Sequence, residues 1–304
     1  MNWLRAPASQ QAGVLAEMGW VLIIGATVLL LLTMVVLVLA LRRRLPGPVR
    51  AWTVGAGIVF PTVLLSALLL YDVLRVEGLE RPPTADPLVI GVTGHQWWWE
   101  VRYHDPASGR WIALANELHL PAGRPVQIGL TSADVIHSFW VPTLGGKMDT
   151  VPGRVNRLAI TALAPGVHRG QCAEYCGTQH ALMALHVVVD TPEDFDRWLA
   201  AQASAATPPA DAVAERGRDA FLAHGCAACH ALRGVAAGSE LGPDLTHVGS
   251  RLWLGAGTVR NEPATLRRWI ADIQGIKPGA RMPSFKHLDA ATLDALAAYL
   301  GQLR

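Results

Sequence analysis

Cysteine is scarce in this chain, with four residues among 304. So few leave no material for the dense disulfide framework that staples small secreted domains. An excess of one charge is missing as well. The formal net charge is only +2, and acidic and basic residues are spread rather than gathered in a basic stripe, which excludes the electrostatic footprint of a nucleic-acid binder. Charge of either sign is absent from Gly19 to Leu41 and again from Ala51 to Leu70. Neither run suits the surface of a water-soluble domain. Between Leu41 and Leu70 there is no Asp or Glu at all.

Each apolar run can cross a hydrocarbon core of about 30 Å as a helix. The short connection between them carries Arg42, Arg43, Arg44 and Arg50, so the positive-inside rule places it on the cytoplasmic face and both ends of the hairpin outside. The alternative for the first run is a cleaved signal peptide beginning at Arg5. Against it, the run exceeds the usual h-region of about 7 to 15 residues, and Arg42 to Arg44 form a stop-transfer flank. Pro61 inside the second run is tolerable where neighbouring groups re-satisfy the freed carbonyl.

Beyond the hairpin there is room for two domains of about 100 residues each. Arg81-Pro-Pro-Thr84 reads as a linker. From Pro87 to Asp190 the pattern is β, with runs at Leu88–Val92, Val126–Leu130, Val135–Val141, Arg157–Ile160 and Leu185–Val189 separated by turns rich in Gly, Pro and Asp. Short strands at this spacing predict a sandwich or Greek-key barrel. Thr191 to Gln202 predicts a helix with Thr191 as N-cap and Glu193 and Asp194 in the first turn. Ser204 to Pro209 reads as a second linker. Helical spacing follows at Asp211–His224, Pro263–Ile273 and Asp289–Leu303. The expected organisation is multidomain: residues 1–80 with a transmembrane hairpin (helices near 19–41 and 51–70), 81–203 with a β-barrel and trailing helix, and 204–304 with a linker and an all-α domain.

All four cysteines lie in ligand-like patterns. In the stretch Cys172-Ala-Glu-Tyr-Cys176-Gly-Thr-Gln-His180-Ala-Leu-Met183, two thiolates, an imidazole and a thioether fall within one loop. Soft ligands of this kind suit copper, whereas zinc rarely recruits a thioether. His137, on an upstream strand, offers a second imidazole. Cysteines at this separation can both bridge a pair of metals. A structural disulfide between Cys172 and Cys176 is the competing reading, but it gives His137, His180 and Met183 no role. A copper-delivery protein would need a thioredoxin-like alternation of strands and helices, and none is visible. The second pattern, Cys226-Ala-Ala-Cys229-His230, has the spacing for covalent attachment of a c-type haem, with His230 as proximal iron ligand. Met282 is the one methionine after that motif, which makes it the candidate sixth ligand, with His247 as the alternative.

The first pattern resembles subunit II of the haem-copper cytochrome c oxidases, whose copper site reads Cys-x-Glu-x-Cys-x-x-x-His-x-x-Met with an upstream His. Every position is filled. The resemblance extends to Gly94-His-Gln-Trp-Trp-Trp-Glu100, to Gly146-Lys-Met-Asp-Thr-Val-Pro-Gly-Arg154 and to the helix hairpin, over roughly residues 15–200. It implies a cupredoxin-like barrel in which Cys172 and Cys176 bridge two coppers, His137 and His180 bind one each, Met183 is a weak ligand and Glu174 ligates through its carbonyl. It also implies that the Glu174 carboxylate helps hold a magnesium ion at the border with subunit I, and that Trp97 is the electron-entry aromatic. Leu241-Gly-Pro-Asp-Leu245 and Leu266-Arg-Arg-Trp-Ile270 resemble class I cytochromes c. Trp98 and Trp99 suit either core or interface, and His104, His119, His168, His186, His224 and His287 are expected to be surface or packing residues.

These resemblances imply an electron-entry subunit of a bacterial cytochrome c oxidase. It would carry electrons from an external donor, such as a cytochrome c or a quinol-oxidising complex, through haem c and the dinuclear copper to subunit I, where oxygen is reduced and protons are transported. Subunits I and III and membrane lipid are the implied partners, with the inner membrane of a bacterial cell as the site and both redox domains on its outer face. Two alternatives share these motifs: the electron-accepting subunit of a copper-containing nitric oxide reductase, and a membrane-anchored electron carrier. Many relatives place a carboxylate near the cytoplasmic start of the second helix, at the mouth of a proton channel. This chain has none there.

Overall fold

The computed structural model describes residues 4, 6–42, 47–77, 79, 87–105, 108–237 and 241–304. Arg43, Arg44 and the Arg81–Thr84 linker lie outside them.

The first helix, α1, runs over Gln10–Arg42 and so begins well before the apolar run. Its early residues Gln11, Ala12, Ala16 and Met18 are buried against the β domain. Thr161 donates its backbone N–H to Gln11 Oε1 at 2.9 Å, Gln10 donates to the Thr161 carbonyl at 3.1 Å, and Ser9 forms a bridge with Ala162. A hydropathy pattern misses these turns because they pack on protein, not lipid. The second helix, α2, spans Ala51–Val76, six residues past the expected end, which brings Arg75 onto Glu17 of α1 as an ion pair. Its opening stretch Ala51–Val59 winds in wide π-type turns, and Phe60 donates to the Gly55 carbonyl. Pro61, which has no N–H to donate, follows where the wide turns pass into the α-helical part. Both helices are long and apolar enough to cross a membrane, and their apolar side chains face outward.

Among the described residues ten strands form the β domain: β1 Leu88–His95, β2 Trp98–His104, β3 Trp111–Ala115, β4 Glu117–Pro121, β5 Val126–Ser132, β6 His137–Trp140, β7 Met148–Thr150, β8 Asn156–Ile160, β9 Gly166–Cys172 and β10 Ala184–Asp190. They make two five-stranded sheets, ordered β3-β2-β1-β5-β8 and β4-β10-β9-β6-β7. The alternation along β5, buried at Val126, Ile128 and Leu130, lines the core with one side of the strand. Trp99, Tyr103, Phe139 and Phe195 are fully buried there, and Trp99 meets Phe139 edge-on at 5.7 Å. The helix α3, Pro192–Gln202, follows with Thr191 Oγ1 accepting from the Asp194 N–H at 3.2 Å. Its Trp198 stacks on His119 at 3.9 Å.

The C-terminal domain holds α4 Ala212–Ala223, a small hairpin of β11 Trp253–Leu254 and β12 Val259–Arg260, α5 Pro263–Ala271, α6 Ile273–Ile276 and α7 Ala290–Gln302. Asp211 and Asp289 cap α4 and α7, each accepting from N–H groups of the first turn. The two helices cross tightly at Gly217, where a Cβ would lie 2.0 Å from the Ala295 carbonyl oxygen. Phe221, Leu296, Tyr299 and Leu303 are buried around that crossing. The Ser204–Pro209 segment is no free tether. Its Ala206 N–H donates to the Arg233 carbonyl at 2.8 Å, and Gln302 Nε2 donates to the Pro208 carbonyl at 3.2 Å. It is fastened along the helical domain.

Candidate metal and haem centres

Strand β9 ends at Cys172, and the following loop returns to β10 through Met183. That loop is tied at both sides. Cys172 N–H donates to the Met183 carbonyl at 2.8 Å, and Ala173 N–H donates to the Ser138 carbonyl at 2.9 Å. These bonds close the loop on β6, which begins with His137. The two sulfurs stand 3.8 Å apart, far beyond the S–S bond length of about 2.05 Å, so the cysteines are free thiols and the disulfide alternative is set aside. His180 Nδ1 lies 3.6 Å from Cys176 Sγ and Met183 Sδ lies 3.8 Å from it. His137, Cys172 and Cys176 present donor atoms within 4.8 Å of one another, and all three are buried.

His137 carries a further mark of a ligand. Its Nε2 pairs with Asp134 Oδ1 at 2.8 Å, while its buried Nδ1 has no hydrogen-bond partner. A carboxylate on one ring nitrogen fixes tautomer and orientation and leaves the other free for a metal. Burial opposes protonation of this ring, but the neighbouring Cys172 sulfur and the Asp134 carboxylate outweigh it and raise the His137 pKa. The bond from Cys176 is the largest influence holding Cys172 below the usual thiol range, and the Cys176 thiol is pushed up in turn. The Glu174 carbonyl lies 3.1 Å from Cys172 Sγ, while its side chain is exposed. The donor set of two thiols, two imidazoles, a thioether and a carbonyl fits a soft, dinuclear copper site.

Trp97 stands at the rim. Its Nε1 donates to the Cys176 carbonyl at 3.0 Å, beside Gln96 Nε2 at 2.9 Å. Of its neighbours, Trp99 is core and Trp98 stacks on His95 at 4.3 Å.

In the helical domain the chain turns at Cys226–Ala228, and His230 N–H donates to the Cys226 carbonyl at 3.0 Å. His230 Nδ1 bonds the Pro243 carbonyl at 2.7 Å, which orients the ring and leaves Nε2 free to act as a ligand. Gly242 makes this possible, since a Cβ there would sit 2.7 Å from His230 Cε1. Gln274 holds the Met282 loop: its Nε2 donates to the Ala280 and Met282 carbonyls at 2.7 and 2.8 Å, and its Oε1 accepts from Gly279 at 2.9 Å. His247 is 2 % exposed, with Nε2 at 3.2 Å from the Ser204 carbonyl. Paired thiols followed by an oriented imidazole fit covalent haem.

Sequence reasoning missed three residues. Asp134 and Gln274 carry no ligand motif, and their part is visible only once distant loops meet. His119 is buried between Asp190 at 2.7 Å and Glu117 at 3.4 Å. Lys277 is 3 % exposed and lies between the two domains.

Comparison with known proteins agrees with this anatomy. A family described as cytochrome c oxidase subunit II, periplasmic domain, matches residues 105–191, and a cytochrome c family matches 214–304. Cytochrome c oxidase subunit 2 of Alkalihalophilus pseudofirmus is 36% identical over 251 residues, covering 81% of this chain and 71% of the relative. That of Bacillus sp. strain PS3 is 34% identical over 255 residues, covering 80% and 69%. The solved periplasmic domain of subunit II of cytochrome oxidase of Bradyrhizobium japonicum shows 33% identity, covering 40% of this chain and 97% of that one, with a TM-score of 0.37. The subunit II domain implies copper, and the cytochrome c domain implies haem. With two apolar helices before a periplasmic-type barrel and a cytochrome c domain after it, the chain belongs to the cytochrome c oxidase subunit II family.

Proposed function

We propose that this chain is the electron-entry subunit of a bacterial oxidase, relaying electrons from an external donor through covalent haem c and dinuclear copper to subunit I. Oxygen reduction and proton transport belong to that partner. The observation that carries the reading is a copper-type donor set gathered at one loop and a haem-attachment motif with an oriented His230, on domains of one chain that touch each other. Copper and haem each supply one-electron chemistry when bound. Cys172 and Cys176 would bridge the coppers, with His137, His180, Met183 and the Glu174 carbonyl completing the set. Cys226 and Cys229 would take the thioethers and His230 one axial position. Met282 is the choice for the other, because it is the one methionine after the haem motif and Gln274 holds its loop. Trp97 is the proposed entry aromatic, supported by its bond to the Cys176 carbonyl. The exposed Glu174 carboxylate suits a magnesium ion shared with subunit I. The hairpin would cross the bacterial inner membrane with both domains outside, next to subunits I and III.

The test is the protein purified in mild detergent with its multi-span partner. Two coppers and one covalent haem per chain are expected, with oxygen consumed on addition of a reduced cytochrome c. Cys172→Ser should abolish the mixed-valence copper spectrum and spare the haem bands. Met282→Ala should open the iron to carbon monoxide. A single copper, or zinc in preference, rejects the dinuclear reading, and an unchanged low-spin haem in Met282→Ala rejects that ligand.

A further inference from the structure

The helical domain rests on the copper loop through contacts that no linker length would produce. Ala184 N–H donates to the Ala256 carbonyl at 2.9 Å. Leu252 N–H donates to Glu117 Oε2 at 2.9 Å. The rings of His186 and Trp253 stack at 4.8 Å with an interplanar angle of 4°, and Gln179 Nε2 donates to the Pro278 carbonyl. At the centre is Lys277. Its ammonium donates to the carbonyls of Trp97 at 2.9 Å, Leu182 at 2.8 Å and Gly255 at 3.1 Å. An ammonium has three donors and no acceptor, so three carbonyls from three segments satisfy it completely. Two of those segments belong to the copper domain: the Trp97 turn, and the ligand loop between His180 and Met183. The third is the β11–β12 turn of the helical domain.

We infer that Lys277 is a positioning residue: a buried peg that locks the cytochrome domain onto the copper ligand loop, so that electrons cross at one fixed geometry instead of during chance encounters of a tethered domain. The role rests on the relay reading above; the docked interface itself does not. Trp97 is held twice in this arrangement, through its ring nitrogen to the Cys176 carbonyl and through its carbonyl to Lys277. Lys277 is also five residues from Met282, on the same loop that Gln274 clamps. Arg281 closes the exposed side, 3.9 Å from Asp134, the carboxylate that orients His137. One short segment thus reaches the surroundings of both centres. Burial pulls the Lys277 pKa down, and the three carbonyls oppose that by accepting all three ammonium N–H groups.

The experiment compares the full detergent-purified chain with Lys277→Met and the milder Lys277→Gln, which keeps a donor group of similar reach. Hydrogen exchange at the Ala184 and Leu252 amides is expected to rise at least about tenfold in Lys277→Met and by less in Lys277→Gln. Copper and haem spectra and the bimolecular reduction of haem by donor should stay unchanged. The haem-to-copper rate after flash reduction should fall by about tenfold or more and become viscosity-dependent, which a structural defect confined to one domain would not produce. Unchanged exchange in both variants overturns the docked peg. Faster exchange with an unchanged internal rate overturns the positioning role. Failure of the relay reading is distinguishable, because a donor would then reduce copper equally fast without attached haem, whatever the exchange data show.

Discussion

His230 and its neighbour Gly242 show how little tolerance the haem site has for an added atom. A methyl at Gly242 would press on His230 Cε1 at 2.7 Å and Nδ1 at 2.9 Å, displacing the ring from the Pro243 carbonyl. Gly242→Ala is therefore expected to destabilise the helical domain by about 1–3 kcal/mol and to lower the yield of covalently attached haem. Thermal unfolding followed at the haem band, with a pyridine haemochrome assay, checks both. Among single residues, the cluster of donor side chains that the structure gathers was legible from sequence because thiol, imidazole and thioether have few other reasons to crowd one loop. Their supports were not. Asp134 precedes His137 by three residues and looks like any turn acid until its Oδ1 is found on Nε2 at 2.8 Å.

At the scale of elements, β4, β10 and α3 meet around His119. Burial lowers its affinity for a proton, but hydrogen bonds to Asp190 and Glu117 exceed that effect and raise its pKa above 6.5. The folded state therefore binds this proton more tightly than the unfolded chain. The stabilisation is full below about pH 6.5 and is lost as pH rises through the higher folded value. The copper domain of the intact chain should accordingly melt at lower temperature at pH 8.5 than at pH 6. His119→Gln should flatten that dependence and weaken the domain at pH 6 by about 1.5–3 kcal/mol. Calorimetry at the two pH values decides it, and a steep dependence surviving in the variant would place the titrating group elsewhere. Five of the ten strands were readable from apolar runs. The others were hidden because their residues alternate with polar side chains, as in β2, or because they are short, as in β7 with three residues. The start of α1 and the end of α2 were misplaced for the opposite reason. Their outer turns carry polar groups such as Gln11 and Arg75 that bind protein rather than lipid.

For the whole molecule, the fastening of the 204–209 segment changes what the fused domain can do. Sequence suggested a second linker at Ser204 to Pro209. In the structure the segment is bound to Arg233 and Gln302, and the two domains share an interface. Blocking haem attachment with Cys226→Ser and Cys229→Ser should therefore stop oxidation of the external donor at least tenfold more severely than it slows copper reduction by small artificial reductants. Stopped-flow traces of both reactions provide the check. Equal rates for the external donor in the two proteins would remove the domain from the path.

The buried first turns of α1 have a mechanical consequence. At 1.5 Å per residue a 33-residue helix is about 50 Å long, while about 20 residues suffice for the hydrocarbon core. The surplus near Gln10 to Met18 is attached to the barrel through Ser9, Gln10 and Gln11, and Glu17 is joined to Arg75 of α2. The barrel is thus carried on a stiff mast with a side stay. Its height above the lipid headgroups is set by helix geometry, and a thicker or thinner bilayer would tilt mast and barrel together as one lever.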